Sequence, residues 1–144
     1  MNTAYKLMAT IMGTLLLITP AIAIDDLFND KFNPNTKNHA NREYEGKNFA
    51  GKDLSGFDFT NAELDNADFS GANLTGAKFI KAEVEQVNFT NANLTNADFS
   101  EADLEEANLT GANITGAKFK NAELEYTIWI DGKTCAADSV GSCW

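Results

Sequence analysis

Large apolar residues recur at every fifth position through most of the chain. In residues 90–109, TNANLTNADFSEADLEEANL, Ala comes two places before each Leu or Phe, four times in succession. A step of five residues turns an α-helix by about 500°, so the large side chains would scatter around its axis. In one straight strand, an odd step would point them alternately to the two faces. The pattern therefore predicts short extended pieces joined by corners, and four corners close a square coil.

The five-residue register continues without an insertion from Tyr44 to Trp129, which makes eighteen units. At four units per coil, residues twenty apart stack, and each side of the coil becomes a wall. The large residues of the first wall are Phe49, Phe69, Phe89, Leu109 and Trp129, and those of the second are Leu54, Leu74, Leu94 and Ile114. Those of the third are Phe59, Phe79, Phe99 and Phe119, and those of the fourth are Leu64, Val84, Leu104 and Leu124. Aromatic walls then face each other across the interior, whereas three or five units per coil would mix the two types.

The A(D/N)LXX pattern of these units resembles the pentapeptide-repeat proteins. The resemblance covers residues 42–131 and implies an all-β fold, a right-handed quadrilateral β-helix with four pentapeptides per coil. Eighteen units at four per coil make about 4.5 coils. Because one fold serves many roles, the resemblance is specific for the fold and weak for the function.

The start of the chain has the features of an export signal. Lys6 precedes an apolar run, and Ala21-Ile22-Ala23 fits a signal peptidase site. We expect a cleavable signal peptide over residues 1–23, an N-terminal cap over 24–41, the β-helix over 42–131 and a C-terminal cap over 132–144. Cleavage would leave a soluble protein, and an uncleaved anchor is the alternative. Leu27, Phe28 and Phe32 lie near helical spacing, so a short helical cap ending before Pro34 is expected to plug the first coil.

Two cysteines, Cys135 and Cys143, follow the last repeat. In an exported protein they are expected to form a disulfide, and closing so short a loop would stabilise the fold by about 2.5 kcal/mol. Its expected role is structural, because the ends of a β-helix expose core and unpaired backbone. Trp129, Ile130 and Trp144 are suited to cover the last coil. A redox role would need a C-x-x-C spacing or an activated thiol, and neither is visible.

Catalytic chemistry finds little support in the sequence. His39 is the only histidine, and its polar surroundings predict a solvated loop residue. The sequence shows no Ser-His-Asp set, metal-ligand cluster or glycine-rich phosphate loop. We therefore expect no enzymatic activity and no cofactor.

Carboxylates are concentrated at the outward positions of the fourth wall. We call this set the acidic wall: Glu63, Asp65, Glu83, Glu85, Asp103, Glu105, Glu123 and Glu125. The second wall shows Asn and Thr instead, and the third alternates Asp with Lys. Like charges on neighbouring strands are unfavourable, and a basic partner or a counterion would offset the repulsion. The alternative interpretation is that the wall only keeps the protein, whose net charge is −10, soluble and monomeric.

The favoured function is a noncatalytic structural or interaction module that docks a protein partner, expected to be basic, through one wall. A DNA mimic is a first alternative, since some pentapeptide-repeat proteins resemble duplex DNA and bind DNA gyrase. Two points count against it. Duplex DNA carries one charge per ~1.7 Å, and the wall is less densely charged. In addition, an exported protein does not meet gyrase. A further alternative is divalent-cation binding on the acidic wall. Such binding would be weak, because the carboxylates lack the enclosing loop of a high-affinity calcium site.

The cysteine-closed tail is similar to those of exported pentapeptide-repeat proteins in cyanobacteria and the chloroplast lumen. This resemblance implies the thylakoid lumen or the periplasm as the location. A monomer is expected, and nucleic acid is not an expected partner.

Overall fold

The computed structural model describes residues 32–143, which lie in one compact unit. The predicted signal peptide, its cleavage site after Ala23 and most of the predicted helical cap, including Leu27 and Phe28, lie outside the described residues. Trp144 lies outside them too. In the part of the chain that the structure describes, no helix is long and apolar enough to span a membrane.

Single-residue parallel bridges join each repeat unit to the unit twenty residues further along. The ladder runs from Asn38↔Asp58 to Asn108↔Ile128, and residues 32–143 contain no longer strand and no helix. Backbone hydrogen bonds connect consecutive coils in the same register. The Phe59 N–H, for example, donates to the carbonyl of Lys78 at 2.8 Å. The twenty-residue step confirms four pentapeptides per coil.

Each corner of the coil places one residue in the left-handed region of backbone space. This residue comes two places after the large one, as in Asn66 with φ 61° and Gly71 with φ 63°. Asn and Gly adopt this conformation more readily than other residues, which explains why they are the commonest residues at this position of the repeat. Glu101 and Glu106 occupy it as well, with φ of 61° and 58°.

In most units an Asp or Asn precedes the large residue and stabilises the same corner. Its side-chain oxygen accepts the N–H of the residue two places later, as Asp98 Oδ1 does from Ser100 at 3.0 Å. This hydrogen bond is the Asx turn that Asp and Asn form locally. The polar half of the A(D/N)LXX pattern is therefore a turn signal, and the Leu or Phe beside it supplies the core.

The interior consists of stacked rings and aliphatic side chains. Within the third wall, Phe79 stacks on Phe99 with ring centroids 4.7 Å apart and planes 3° apart. Across the interior, Phe69 of the first wall meets Phe79 edge to face at 5.9 Å. Both arrangements are favourable for aromatic pairs. The prediction that the aromatic walls face each other is confirmed.

The last coil is only partly covered. Residues 131–143 fold back antiparallel, through the bridges Glu123↔Val140 and Ile128↔Thr134, and Cys135 and Cys143 form a disulfide. This tail pairs with the fourth and first walls. Three large residues of the last coil stay only partly buried, namely Ile114, Phe119 and Trp129. The expectation that Ile130 roofs this coil is wrong, because its side chain points outward and is 37% exposed.

The β-helix begins earlier than residue 42, because Asn38 already bridges to Asp58. His39, five residues before Tyr44, occupies the position of a large residue on the third wall. The prediction of a solvated His39 is wrong, since only 3% of the residue is exposed. Its neighbours in sequence are polar because they take outward and corner positions, whereas its ring packs against aromatic rings from other units.

Candidate functional site: the acidic wall

Consecutive coils place the carboxylates of the fourth wall side by side. Parallel bridges join Glu63 to Glu83, Glu83 to Asp103 and Asp103 to Glu123. Bridged residues lie on neighbouring strands, which are about 4.8 Å apart. The buried residues between the two carboxylate columns hold this side of the coil straight, so that both columns face outward. The structure therefore brings all eight predicted wall residues onto one face.

The acidic face is one coil longer than the predicted acidic wall. Glu43 and Glu45 flank the buried Tyr44, and Glu43 bridges to Glu63. Both were missing from the predicted set, although they lie twenty residues before Glu63 and Asp65. Both could have been predicted from the twenty-residue register. With these two residues the face carries ten carboxylates.

Two wall aspartates also satisfy backbone amides. Asp65 Oδ1 accepts the N–H of Glu85 from the next coil, and Asp103 Oδ1 accepts the N–H of Glu105, both at 3.0 Å. The short side chains thus lie against the backbone. Among the described residues, no side-chain donor bonds Glu85 or Glu105. Their carboxylates are therefore available to a binding partner.

The third and fourth walls treat charge in opposite ways. On the third wall Lys78 pairs with Asp58 at 3.4 Å and Lys118 with Asp98 at 3.2 Å, so each acid has a base on the neighbouring coil. Across residues 32–143, none of the eight acidic-wall carboxylates forms a salt bridge. The salt bridge closest to the acidic wall along the repeat joins Lys81 to Glu101, at the corner between the third and fourth walls. The fold thus allows acidic and basic residues to alternate along a wall and to neutralise each other, but the outward positions of the fourth wall carry acidic residues only.

Mutual repulsion is visible in the ionisation of the wall. The carboxylate of Glu43 raises the pKa of Glu63 above its ordinary value of 4.5. Partial desolvation, followed by the charges of Asp103 and other wall residues, raises the pKa of Glu85. The pKa of Glu105 is raised in the same way, by desolvation first and then by its acidic neighbours. Each of these shifts means that the folded protein holds the ionised carboxylate less easily than the unfolded chain does.

A divalent-cation site is not assembled on this face. Within the described part of the chain, no group of three or more His, Cys, Asp or Glu residues has an arrangement that could hold a metal ion. The carboxylates form an open ladder along a flat surface, whereas a calcium site surrounds its ion with six to eight oxygens. The divalent-cation alternative therefore gains no support from the geometry.

The match to known proteins covers the β-helix. Residues 48–129 match the family model described as Pentapeptide repeat region. Among solved structures, HetL of the cyanobacterium Nostoc sp. strain PCC 7120 is described as a pentapeptide repeat protein involved in heterocyst differentiation regulation. It is 34% identical to this chain with a TM-score of 0.63, and the match covers 64% of this chain and 42% of HetL. The chain thus spans less than half the length of HetL.

Two further solved structures are more distant. A pentapeptide repeat protein from the Arabidopsis thaliana thylakoid lumen is 27% identical, with a TM-score of 0.42 and coverage of 75% of this chain and 85% of its own. QnrB1, a plasmid-mediated fluoroquinolone resistance protein, is 25% identical, with a TM-score of 0.38 and coverage of 59% and 54%. A comparison with curated proteins gave no match.

The family match and the coil geometry lead to the same assignment. The matched region, residues 48–129, spans more than half of the chain. Its twenty-residue bridges and its Asx-stabilised corners supply the physical basis of the repeat. The chain belongs to the pentapeptide-repeat family and shares its right-handed β-helix.

Proposed function

We propose that the protein is a noncatalytic interaction module that docks a basic partner protein on its acidic face, the acidic wall together with Glu43 and Glu45. One observation carries this proposal: none of the wall carboxylates pairs with a cation among residues 32–143, while the third wall pairs its aspartates with lysines. A partner with Lys or Arg side chains would supply the missing positive charges.

The geometry suits a macromolecule better than a small ligand. Carboxylates at regular intervals on a flat face offer many weak contacts and no enclosed pocket, so affinity must come from several ion pairs formed at once. Such complementary surfaces speed association and set orientation, and their effect falls with salt. Phosphate groups would be repelled by the same face, which disfavours nucleic acid as the partner.

An exported compartment, the thylakoid lumen or the periplasm, is proposed as the location. The support is the predicted signal peptide over residues 1–23 and the disulfide between Cys135 and Cys143, which persists in oxidising compartments.

Neutralising the middle of the wall is expected to stabilise the isolated protein. In Glu85→Gln/Asp103→Asn/Glu105→Gln the side-chain shapes and the Asp103 turn acceptor are kept while three charges are removed. The raised pKa values of Glu85 and Glu105 mean that desolvation and repulsion between the ionised carboxylates weaken stability as pH rises through the folded-state values, above 4.5. The variant should therefore melt higher than the parent at pH 7, and the difference should shrink toward pH 4.5. Equal melting temperatures at pH 7 would show that the wall carries no repulsive strain.

The same variant tests the docking proposal. Crosslinking in the native compartment should capture a basic protein with the parent and lose it with the wall variant. The matched control is Asp53→Asn/Asp68→Asn/Glu101→Gln, which removes three carboxylates from other positions and changes the net charge equally. Capture should survive in this control and weaken with added salt. Equal capture by the two triple variants would contradict docking on the acidic face.

A further inference from the structure

The N-terminal end of the β-helix is closed around one buried histidine. The imidazole of His39 packs in a cluster with Phe32, at a centroid distance of 4.8 Å, and Phe57, at 5.3 Å with planes 6° apart. The rings of Phe32 and Phe57 also contact each other, with centroids 5.8 Å apart. Phe59 lies at 5.7 Å on the next coil of the same wall. His39 thus joins the segment before the first coil to the aromatic column of the core.

Both ring nitrogens of His39 have hydrogen-bond partners. Nε2 lies 2.8 Å from the carbonyl oxygen of Thr36, and Nδ1 lies 2.6 Å from the hydroxyl of Tyr44. A carbonyl oxygen only accepts, so Nε2 carries the proton. In the neutral ring Nδ1 is therefore the acceptor, and the Tyr44 hydroxyl donates to it. Protonation would turn Nδ1 into a donor and require the hydroxyl to reverse its role.

The surroundings of His39 oppose a positive charge. Burial lowers the pKa of His39 below its ordinary value of 6.5, and the charge of Arg42 lowers it further, against the opposing effect of the carbonyl hydrogen bonds. Lys37 adds a second cation nearby, with its Nζ bonded to the carbonyl of Ser55 and 6.0 Å from the Phe57 ring centroid. On the next coil, the Asp58 carboxylate is bonded to Thr60 and paired with Lys78. Among residues 32–143, Tyr44 is the remaining titratable group in contact with the imidazole.

The segment that carries His39 is held by few backbone hydrogen bonds. Asp58 N–H donates to Lys37 O, His39 N–H to Asp58 O, and Asn41 N–H to Thr60 O, at 2.7, 2.7 and 2.9 Å. Residues in the middle of the stack have coils bonded on both sides. Opening residues 32–41 alone therefore breaks far fewer contacts than unfolding the β-helix, and local openings of this kind precede global unfolding.

We propose that His39 makes residues 32–41, the described part of the N-terminal cap, an acid-sensitive latch. At neutral pH the uncharged imidazole holds Phe32 and residues 33–41 on the first coil. On acidification the open state takes up a proton on His39, the cap lifts, and Tyr44 and Phe49 become accessible. This inference is independent of the acidic face and of its partner.

The pH window follows from the direction of the shift. Above pH 6.5 the imidazole is neutral in both states, and the cap has its full stability. Below 6.5 the exposed histidine binds a proton that the buried one does not, so opening becomes more favourable. The opening constant rises by up to tenfold per pH unit until the folded-state pKa is reached, and then levels off.

Amide hydrogen exchange on the full-length chain tests the latch at residue resolution. The Asp58 amide, bonded to Lys37 O, reports opening of the cap. The Asp98 amide, bonded to Ala77 O, is a matched control on the same wall in the middle of the stack. After correction for intrinsic exchange, protection of Asp58 should fall between about pH 7 and pH 5, by up to tenfold per unit, while that of Asp98 stays constant. An equal change at both amides would overturn the proposal.

Two further measurements assign the effect to the imidazole. The chain has one histidine, so its NMR titration is unambiguous and should give a pKa below 6.5. A pKa at or above 6.5 would overturn the latch. His39→Phe and His39→Gln should each abolish the pH dependence at Asp58, and its persistence in either variant would exclude His39 as the sensor. The comparison of Asp58 with Asp98 in the parent decides the matter even if a variant folds poorly.

Discussion

Phe99→Ala is expected to lower the free energy of unfolding by about 3–5 kcal/mol. Phe99 is fully buried in the middle of the third wall and stacks on Phe79 below and on Phe119 above, with centroids 4.7 and 5.3 Å apart. It also meets Phe89 edge to face at 5.6 Å. Bridged coils on both sides prevent the backbone from closing the cavity, so the lost contacts are not recovered. Urea denaturation of parent and variant measures the loss.

Phe119→Ala is the matched control for this cavity. Phe119 belongs to the same wall, but it lies in the last coil and is only partly buried. Its removal takes less area out of contact and leaves a space open to solvent, so the loss should be clearly smaller than for Phe99. Equal losses, or a loss at Phe99 below about 1 kcal/mol, would contradict the described packing.

Removing the disulfide with Cys135→Ala/Cys143→Ala should lower the free energy of unfolding by about 2.5 kcal/mol. The bridge closes the tail that pairs with the exposed edge of the last coil. In that tail Ser139 O accepts the N–H of Leu124 at 2.8 Å, and the Cys135 N–H donates to Thr127 O at 2.8 Å. Without the crosslink the tail gains freedom in the unfolded chain and frays more readily from the fourth wall. Thermal melting of the two proteins measures the difference.

Reductant and a neighbouring substitution provide the controls for the tail. The parent under reducing conditions should melt close to the double variant. Ser142→Ala changes an exposed residue inside the same loop and should leave stability unchanged. A double variant as stable as the parent would show that the tail is held by its hydrogen bonds alone. Full alkylation of both cysteines, under nonreducing and denaturing conditions, in protein from its native compartment would show that the bridge does not form there.

The internal order of the coil could be predicted from the sequence because each five-residue unit contains both its buried large residue and the residues that form its corner. A large residue every fifth position has only one regular solution, in which a corner follows each extended piece. The separation of Phe99 and its column from Leu104 and its column then indicated four units per coil, since stacked side chains must match in shape. The acidic wall followed from the same register, without any knowledge of distances.

The burial of residues at the two ends of the β-helix depends on tertiary contacts, which the local sequence pattern does not predict. His39 has polar neighbours and so resembles a loop residue, yet its ring is buried in contact with Phe32 and Phe57. Phe57 itself occupies a position that is small in the later coils, where no preceding segment needs to be covered. Conversely, Phe119 has the same place in the repeat as Phe99, but no complete coil follows it. Its ring therefore stays only partly buried.

The sequence by itself determined the repeat, its four-sided coil, the composition of each wall and the cysteines that close the tail, because these depend on side-chain size and on spacing along the chain. Only the tertiary structure decided which charges meet a partner. Lys78 reaches Asp58 on the neighbouring coil, while Glu85 stands among other carboxylates with no cation in reach in the described part of the chain. It also decided that His39 is core, because burial depends on segments that pack from outside the repeat.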